Sequence, residues 1–285
     1  MRKSIAAILG LLLFTVQVNA QQKKQSGAIA FQSTFNPAAM AVGNGIKLSE
    51  EMLARMPQRS TTDFELLFNA TNASYTRVEE SEDSNGGGGG GGGGMRFGGF
   101  GGASRDLYFD FLDHKLTEVF DMNDSTFFLQ SKLGESSMPF MRMAANGSPA
   151  EAPVKTITKS DETKKILGFN CNKVVVKTVT KRNIQNEERE IIDESSIWYT
   201  KELGFDFSPN PALWTEGAVL AIEGKATNVV AKSIEYRNVN SKDVNLPKKG
   251  VQITTEQYRA KLEQRMKQGR GNRSGGRMRT ITIEQ

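Results

Sequence analysis

Apolar residues recur at every second position through most of this chain, and that period is the one a half-buried β-strand imposes. Ile29 and Phe31 alternate with smaller or polar neighbours, and Phe64, Leu66 and Phe68 repeat the pattern with Asp63, Glu65 and Asn69 turned the other way. Leu107, Phe109 and Phe111 alternate with Tyr108 and Asp110, a turn is predicted at Asp113, His114 and Lys115, and residues 116–122 run back as the partner strand. Further strand candidates are residues 73–79, 127–130, 154–158, 165–168, 172–181, 189–199, 218–223 and 227–238, the last with Val230, Ile234 and Tyr236 on one face. Val174, Val175 and Val176 are consecutive, which predicts a strand covered on both faces.

Helical signals are fewer. Ser49 is an N-cap for a short helix carrying Met52 and Met56, with Pro57 as its stop. Thr254 and Gln257 have capping-box spacing, and the helix they open carries Tyr258, Leu262 and Met266 as one narrow stripe, with Gly269 as its predicted end. The expected fold is mainly β: about ten strands in a meander, curled as one antiparallel sheet around an apolar interior, with short helices. Residues 27–247 form this single domain, and residues 248–285 form a basic C-terminal helix and disordered tail.

Glycine changes that picture locally. Residues 86–94 are nine consecutive glycines, and residues 81–104 as a whole have few side chains with which to offset the entropy of ordering. They read as a disordered loop inserted between strands; a phosphate cradle would need a following helix and a Lys-Ser/Thr ending that are missing. Residues 138–153, rich in Met, Ala, Pro and Gly, read as a second flexible insertion.

The first twenty residues have a basic start at Arg2 and Lys3, an apolar run and a small-residue ending at Ala20, the pattern of a cleaved secretory signal peptide. Cys171 is the only cysteine, so an intramolecular disulfide is impossible, and a buried thiol is expected. The formal charge of +5 is unevenly placed: residues 248–285 hold ten basic and three acidic residues, whereas residues 21–247 hold 25 basic and 29 acidic ones. Arg259, Lys261, Arg265, Lys267, Arg270 and Arg273 are thereby candidates for contact with an anionic membrane surface. Nucleic acid is not an expected partner of an exported chain.

Catalytic constellations are thin. His114 is the only histidine and belongs to the predicted turn, where a solvated role is expected. No catalytic residue and no cofactor are assigned, and the chain is expected not to be an enzyme. Met138, Met141 and Met143 place three thioethers in six residues and are weak candidates for monovalent copper, with apolar packing as the plainer role.

The 197–224 stretch is the remaining concentration of chemistry. It holds both tryptophans, and its central connection joins two strands, so that Trp198, Tyr199, Phe205, Phe207 and Trp214 are expected to line or plug the open end of the sheet. Lys164-Lys165-Ile166, Gly168, Phe169, Cys171 and Lys173, followed by Trp198-Tyr199-Thr200 and then the aliphatic strand after Gly217, resemble the GLPGLI family of exported Gram-negative proteins. The Gly-Leu-Pro-Gly-Leu-Ile core itself is replaced by Thr215-Glu216-Gly217-Ala218-Val219-Leu220. The resemblance implies a periplasmic or surface β protein, with a half-barrel similar to lipoprotein carriers and a lipidic ligand or outer-membrane protein as its partner. A scaffold role in an outer-membrane complex is the alternative it leaves open.

Overall fold

A computed structural model describes residues 26–43, 45, 48–56, 59–78, 105–122, 125–135, 153–184 and 187–274; side chains are described up to residue 181 in the 153–184 segment and up to residue 264 in the last. Among the described residues twelve strands form one curled sheet that does not close on itself, and the protein is mainly β as its alternation predicts. In chain order these are β1 (Gly27–Phe35), β2 (Ser60–Phe68), β3 (Asn72–Arg77), β4 (Asp106–Asp110), β5 (Lys115–Met122), β6 (Ser125–Lys132), β7 (Val154–Ile166), β8 (Phe169–Ile184), β9 (Glu187–Thr200), β10 (Ala218–Gly224), β11 (Thr227–Glu235) and β12 (Val251–Ile253). Helices α1 (Pro37–Gly43) and α2 (Glu50–Arg55) follow β1, and α3 (Thr255–Ser274) follows β12.

The sheet runs β12-β6-β5-β4-β3-β2-β1-β11-β10-β9-β8-β7, so two meanders meet where β1 pairs antiparallel with β11. That long-range pairing is the step a local pattern cannot reveal. Irregularities at Lys232 in β11, Leu220 in β10 and Asp161-Glu162 in β7 bend their strands and increase local twist. One face carries Ile29, Phe31, Leu66, Phe68, Ala73, Tyr75, Leu107, Phe109 and Leu116, all buried, and is the inner face of the curl.

Several elements differ from the expectations. Residues 154–158 and 165–166 belong to one strand, not two, and Leu167 and Gly168, both at positive φ, form the turn to β8: the polar Ser160-Asp161-Glu162-Thr163 run is carried through by pairing to β8, with the bulge absorbing the mismatch. Val174 and Val176 are buried but Val175 is only half-buried, so β8 is not fully covered on both faces. Residues 248–253 are not tail, because β12 pairs parallel with β6, Val251 opposite Phe127 and Ile253 opposite Leu129. A parallel pair needs a crossover, and residues 236–250 supply it over the outer face, where the Ser74 hydroxyl donates to the Asp243 carbonyl at 2.9 Å and Val244 is buried.

The capping signals were sound. Ser49 accepts from the Met52 N–H at 3.3 Å, and Thr254 and Gln257 satisfy each other's backbone N–H groups at 3.2 and 2.9 Å. Helix α3 nevertheless passes Gly269 and continues to Ser274. A glycine costs a helix about 1 kcal/mol, a penalty and not a stop, and the surrounding Arg, Lys and Gln residues are good helix formers. The signal-peptide region, the glycine run and Met138, Met141 and Met143 all lie outside the described residues.

Candidate functional site

The connection from β9 to β10, residues 201–217, folds back over the inner face and closes it. Two glycines make this possible. Gly204 turns the chain at φ +79°, and Gly217, at φ +113°, lies so close to the Thr200 carbonyl that an added Cβ would sit 2.5 Å from its oxygen. Between them Ser208 is fully buried, and its hydroxyl lies 2.8 Å from the Asn210 carbonyl and 2.9 Å from that of Leu213, tying the loop to itself. Phe207 is clipped to β10 by its own backbone, its N–H donating to the Gly217 carbonyl and its carbonyl accepting from the Val219 N–H.

Phe207 is thereby delivered to the middle of the curl. Its ring is fully buried, with centroids 5.6 Å from Phe31, 5.5 Å from Tyr75 and 5.2 Å from Phe109. Phe205 lies 4.9 Å from Phe68 and 5.2 Å from Phe111, and Trp214 stacks at 6.4 Å on Phe109. These are the spacings of packed aromatic pairs. Burial pushes the Tyr75 hydroxyl far above its ordinary range, so it stays neutral at every physiological pH. Of the five expected lining residues, Phe205, Phe207 and Trp214 act together as the plug.

Trp198 does not join them. Neighbours in a strand point to opposite faces, so Trp198 and Tyr199 cannot both look inward, and Trp198 takes the outer face. There its indole N–H donates to Glu223 at 3.0 Å, while the ammonium groups of Lys164 and Lys173 lie 4.9 and 5.5 Å from its ring centroid. Lys164 also pairs with Glu223 at 2.7 Å, and Lys173 with Glu162 at 2.9 Å. Burial pushes the Glu223 carboxyl up, but hydrogen bonds from Lys164 and Trp198 outweigh it and hold the group below its usual range. This cluster was missed, although two-residue periodicity alone separates Trp198 from Tyr199.

A shallow depression of about 300 Å³ lies at the foot of the connection, lined by Lys201, Gly204, Phe205, Asp206, Glu216 and Gly217. Its walls combine the charged side chains of Lys201, Asp206 and Glu216 with the Phe205 ring and glycine backbone. Lys201 and Glu216 are paired at 2.9 Å in solvent; the hydrogen bond raises the lysine above its ordinary value and lowers the carboxylate.

The far end of the inner face has a second cluster, Phe120, Met122, Phe127, Leu129, Ile253 and Tyr258, in which the first turn of α3 docks. Arg105 organises it. Its guanidinium bonds Glu118 at 2.7 Å and the Tyr258 hydroxyl at 3.0 Å, and lies 5.7 and 5.6 Å from the Phe120 and Tyr258 ring centroids. Of the six tail cations, Lys261 lies over the Phe127 ring at 4.6 Å and Arg259 is exposed. Arg265, Lys267, Arg270 and Arg273 follow on the same helix, with side chains outside the described set.

The remaining candidates stand alone. His114 is exposed in its turn with φ +50°. Cys171 is a buried free thiol that burial pushes up to about 11. Among the described residues no cluster of three or more His, Cys, Asp or Glu side chains could hold a metal ion.

No family model matches this chain, and no curated protein matches it. Among solved structures it is similar to two crystal forms of PNGF-II, each with 12% sequence identity and a TM-score of 0.47 over 83% of this chain. The chain spans about a third of the length of that protein, 32% in one form and 33% in the other.

Proposed function

We propose that this chain is an exported, non-enzymatic module of the cell envelope that binds a protein partner through its surface. The observation that carries this reading is Phe207. An apolar carrier needs a dry concavity, and the described interior holds a fully buried aromatic ring in van der Waals reach of three others where a ligand would lie. Phe205, Phe207 and Trp214, three of the five residues expected to line a ligand site, serve as the lid and filling of a core.

What the plug leaves for recognition is outside. The distal parts of β7, β8 and β9 extend beyond β10 as a three-stranded arm, with Val154 and Ile192 exposed on it and Ile157 exposed at its base. The basic helix α3 is docked by its first turn and then runs on. After Leu262 that helix is polar apart from Met266, which supports an electrostatic contact with an anionic surface and not insertion into a bilayer.

Fractionation of cells producing the full chain, with photo-crosslinking residues at Ile192 and at Arg259, tests the reading. The expected result is an envelope protein whose N-terminus is Gln21 and which forms a discrete crosslinked protein adduct. Recovery in the cytoplasm with an intact N-terminus, or an envelope location without any adduct from either position, would contradict it.

A further inference from the structure

Strand β7 ends the sheet, and among the described residues it is paired on one side only, with β8. Twelve of its thirteen positions are exposed or half-buried, Ile166 being the buried one. An unpaired edge offers a row of backbone donors and acceptors to any extended chain. Residues 154–160 offer it in unbroken register with β8, up to the irregularity that follows Ser160.

The side chains on this edge restrict what can use it. Lys155, Ile157 and Lys159 share one face, since they alternate. Ile157 is 63% exposed between the two cations, and residues 154–160 contain no carboxylate. The ammonium of Lys155 donates to the Ala212 carbonyl at 3.1 Å, and that of Lys159 lies 4.0 Å from Glu216, so both lie on the side of the 201–217 connection. Both contacts are in solvent and leave donors over.

A second copy of this chain would be a poor occupant. Antiparallel pairing of β7 with itself about Ile157 sets Lys155 opposite Lys159 twice, and like charges directly opposite destabilise a ladder. A neutral strand would gain only the backbone bonds. A strand with a carboxylate at i, an apolar residue at i+2 and a carboxylate at i+4 would instead place each acid opposite a lysine and its apolar side chain on Ile157. The same two lysines thus refuse one class of partner and select another.

We propose that residues 154–160 of β7 form a β-augmentation site for an extended acidic segment of a partner protein, with acid-x-apolar-x-acid alternation. This rests on the reading of the chain as a binding module and gives that module its recognition chemistry: main-chain hydrogen bonds for affinity, the Lys155-Ile157-Lys159 face for specificity.

The test uses the full chain and a capped nonapeptide centred on Glu-Thr-Val-Thr-Glu, with binding followed by fluorescence anisotropy and amide hydrogen exchange. Binding should slow exchange within residues 154–160, and methylating alternate peptide amides should abolish it. The double substitution K155E/K159E, at exposed positions outside the core, should weaken the acidic peptide by about tenfold. It should also admit the charge-reversed peptide centred on Lys-Thr-Val-Thr-Lys. No binding, binding that leaves β7 exchange unchanged, or equal affinity after charge reversal would overturn the site. An acidic peptide protecting only α3 would overturn it as well, while the envelope crosslinks would still stand and keep the two claims separable.

Discussion

At the scale of single residues, the plug is the feature with the largest expected consequence. Replacing Phe207 by Ala removes a fully buried ring from a four-ring cluster and should cost about 3–5 kcal/mol in urea unfolding; a loss below about 1 kcal/mol would mean the loop is not part of the core. The Cys171 thiol, buried and raised to about 11, should be almost inert to a disulfide-exchange reagent at pH 8 until the protein is unfolded. Rapid labelling of the native chain would contradict that burial. Glu223 carries a pH dependence of definite sign. Its folded value is depressed by Lys164 and Trp198 against the opposing effect of burial, so its contribution is complete above the unfolded value, near about 4.3. That contribution is lost as pH falls through the folded value. Lys164→Met should therefore flatten the acid limb of the stability profile while leaving neutral-pH stability lower by under about 1 kcal/mol, since both side chains are substantially exposed. Trp198 itself shows where residue-level reading stopped short: grouping it with the plug followed composition, whereas its odd-even relation to Tyr199 already assigned it elsewhere.

Among elements, those defined by local chemistry were legible and those defined by distant partners were not. Alternation located β1 to β6 and β8 to β11, and the caps at Ser49 and Thr254 are present as hydrogen bonds. Strand β12 is three residues long and owes its existence to β6, to which residues 236–250 carry it across the sheet; the Val251-Gln252-Ile253 alternation is too short to announce it. The unity of β7 was hidden for the same reason, because its polar middle is held by β8 and not by its own propensity. Helix α3 is attached through Tyr258 and the Arg105–Glu118 pair, with Glu118 only 4% exposed in its side chain. Arg105→Ala removes the 2.7 Å ion pair of that carboxylate and its tie to the Tyr258 hydroxyl and should cost about 1.5–3 kcal/mol. Hydrogen exchange should then show β12 and the first turn of α3 opening together; an α3 that stays as protected as before would contradict the attachment.

For the whole molecule, the sheet is a curl whose two meanders join at β1 and β11, with a strap across its outer face and a loop filling its inner face. The fold class could be read from the period of the sequence, and even the position of the 201–217 connection over the open side could be anticipated from its aromatics. Whether those aromatics line a space or fill it could not, because that depends on Phe31, Tyr75 and Phe109 converging from three separate strands. They fill it, and the proposed recognition is therefore external. Native mass spectrometry of the protein purified gently from the cells that produce it tests this most directly. The expected result is the chain at its bare mass or bound to another protein, with no small apolar molecule. A lipid-sized mass retained at one per chain, and released by unfolding, would contradict it.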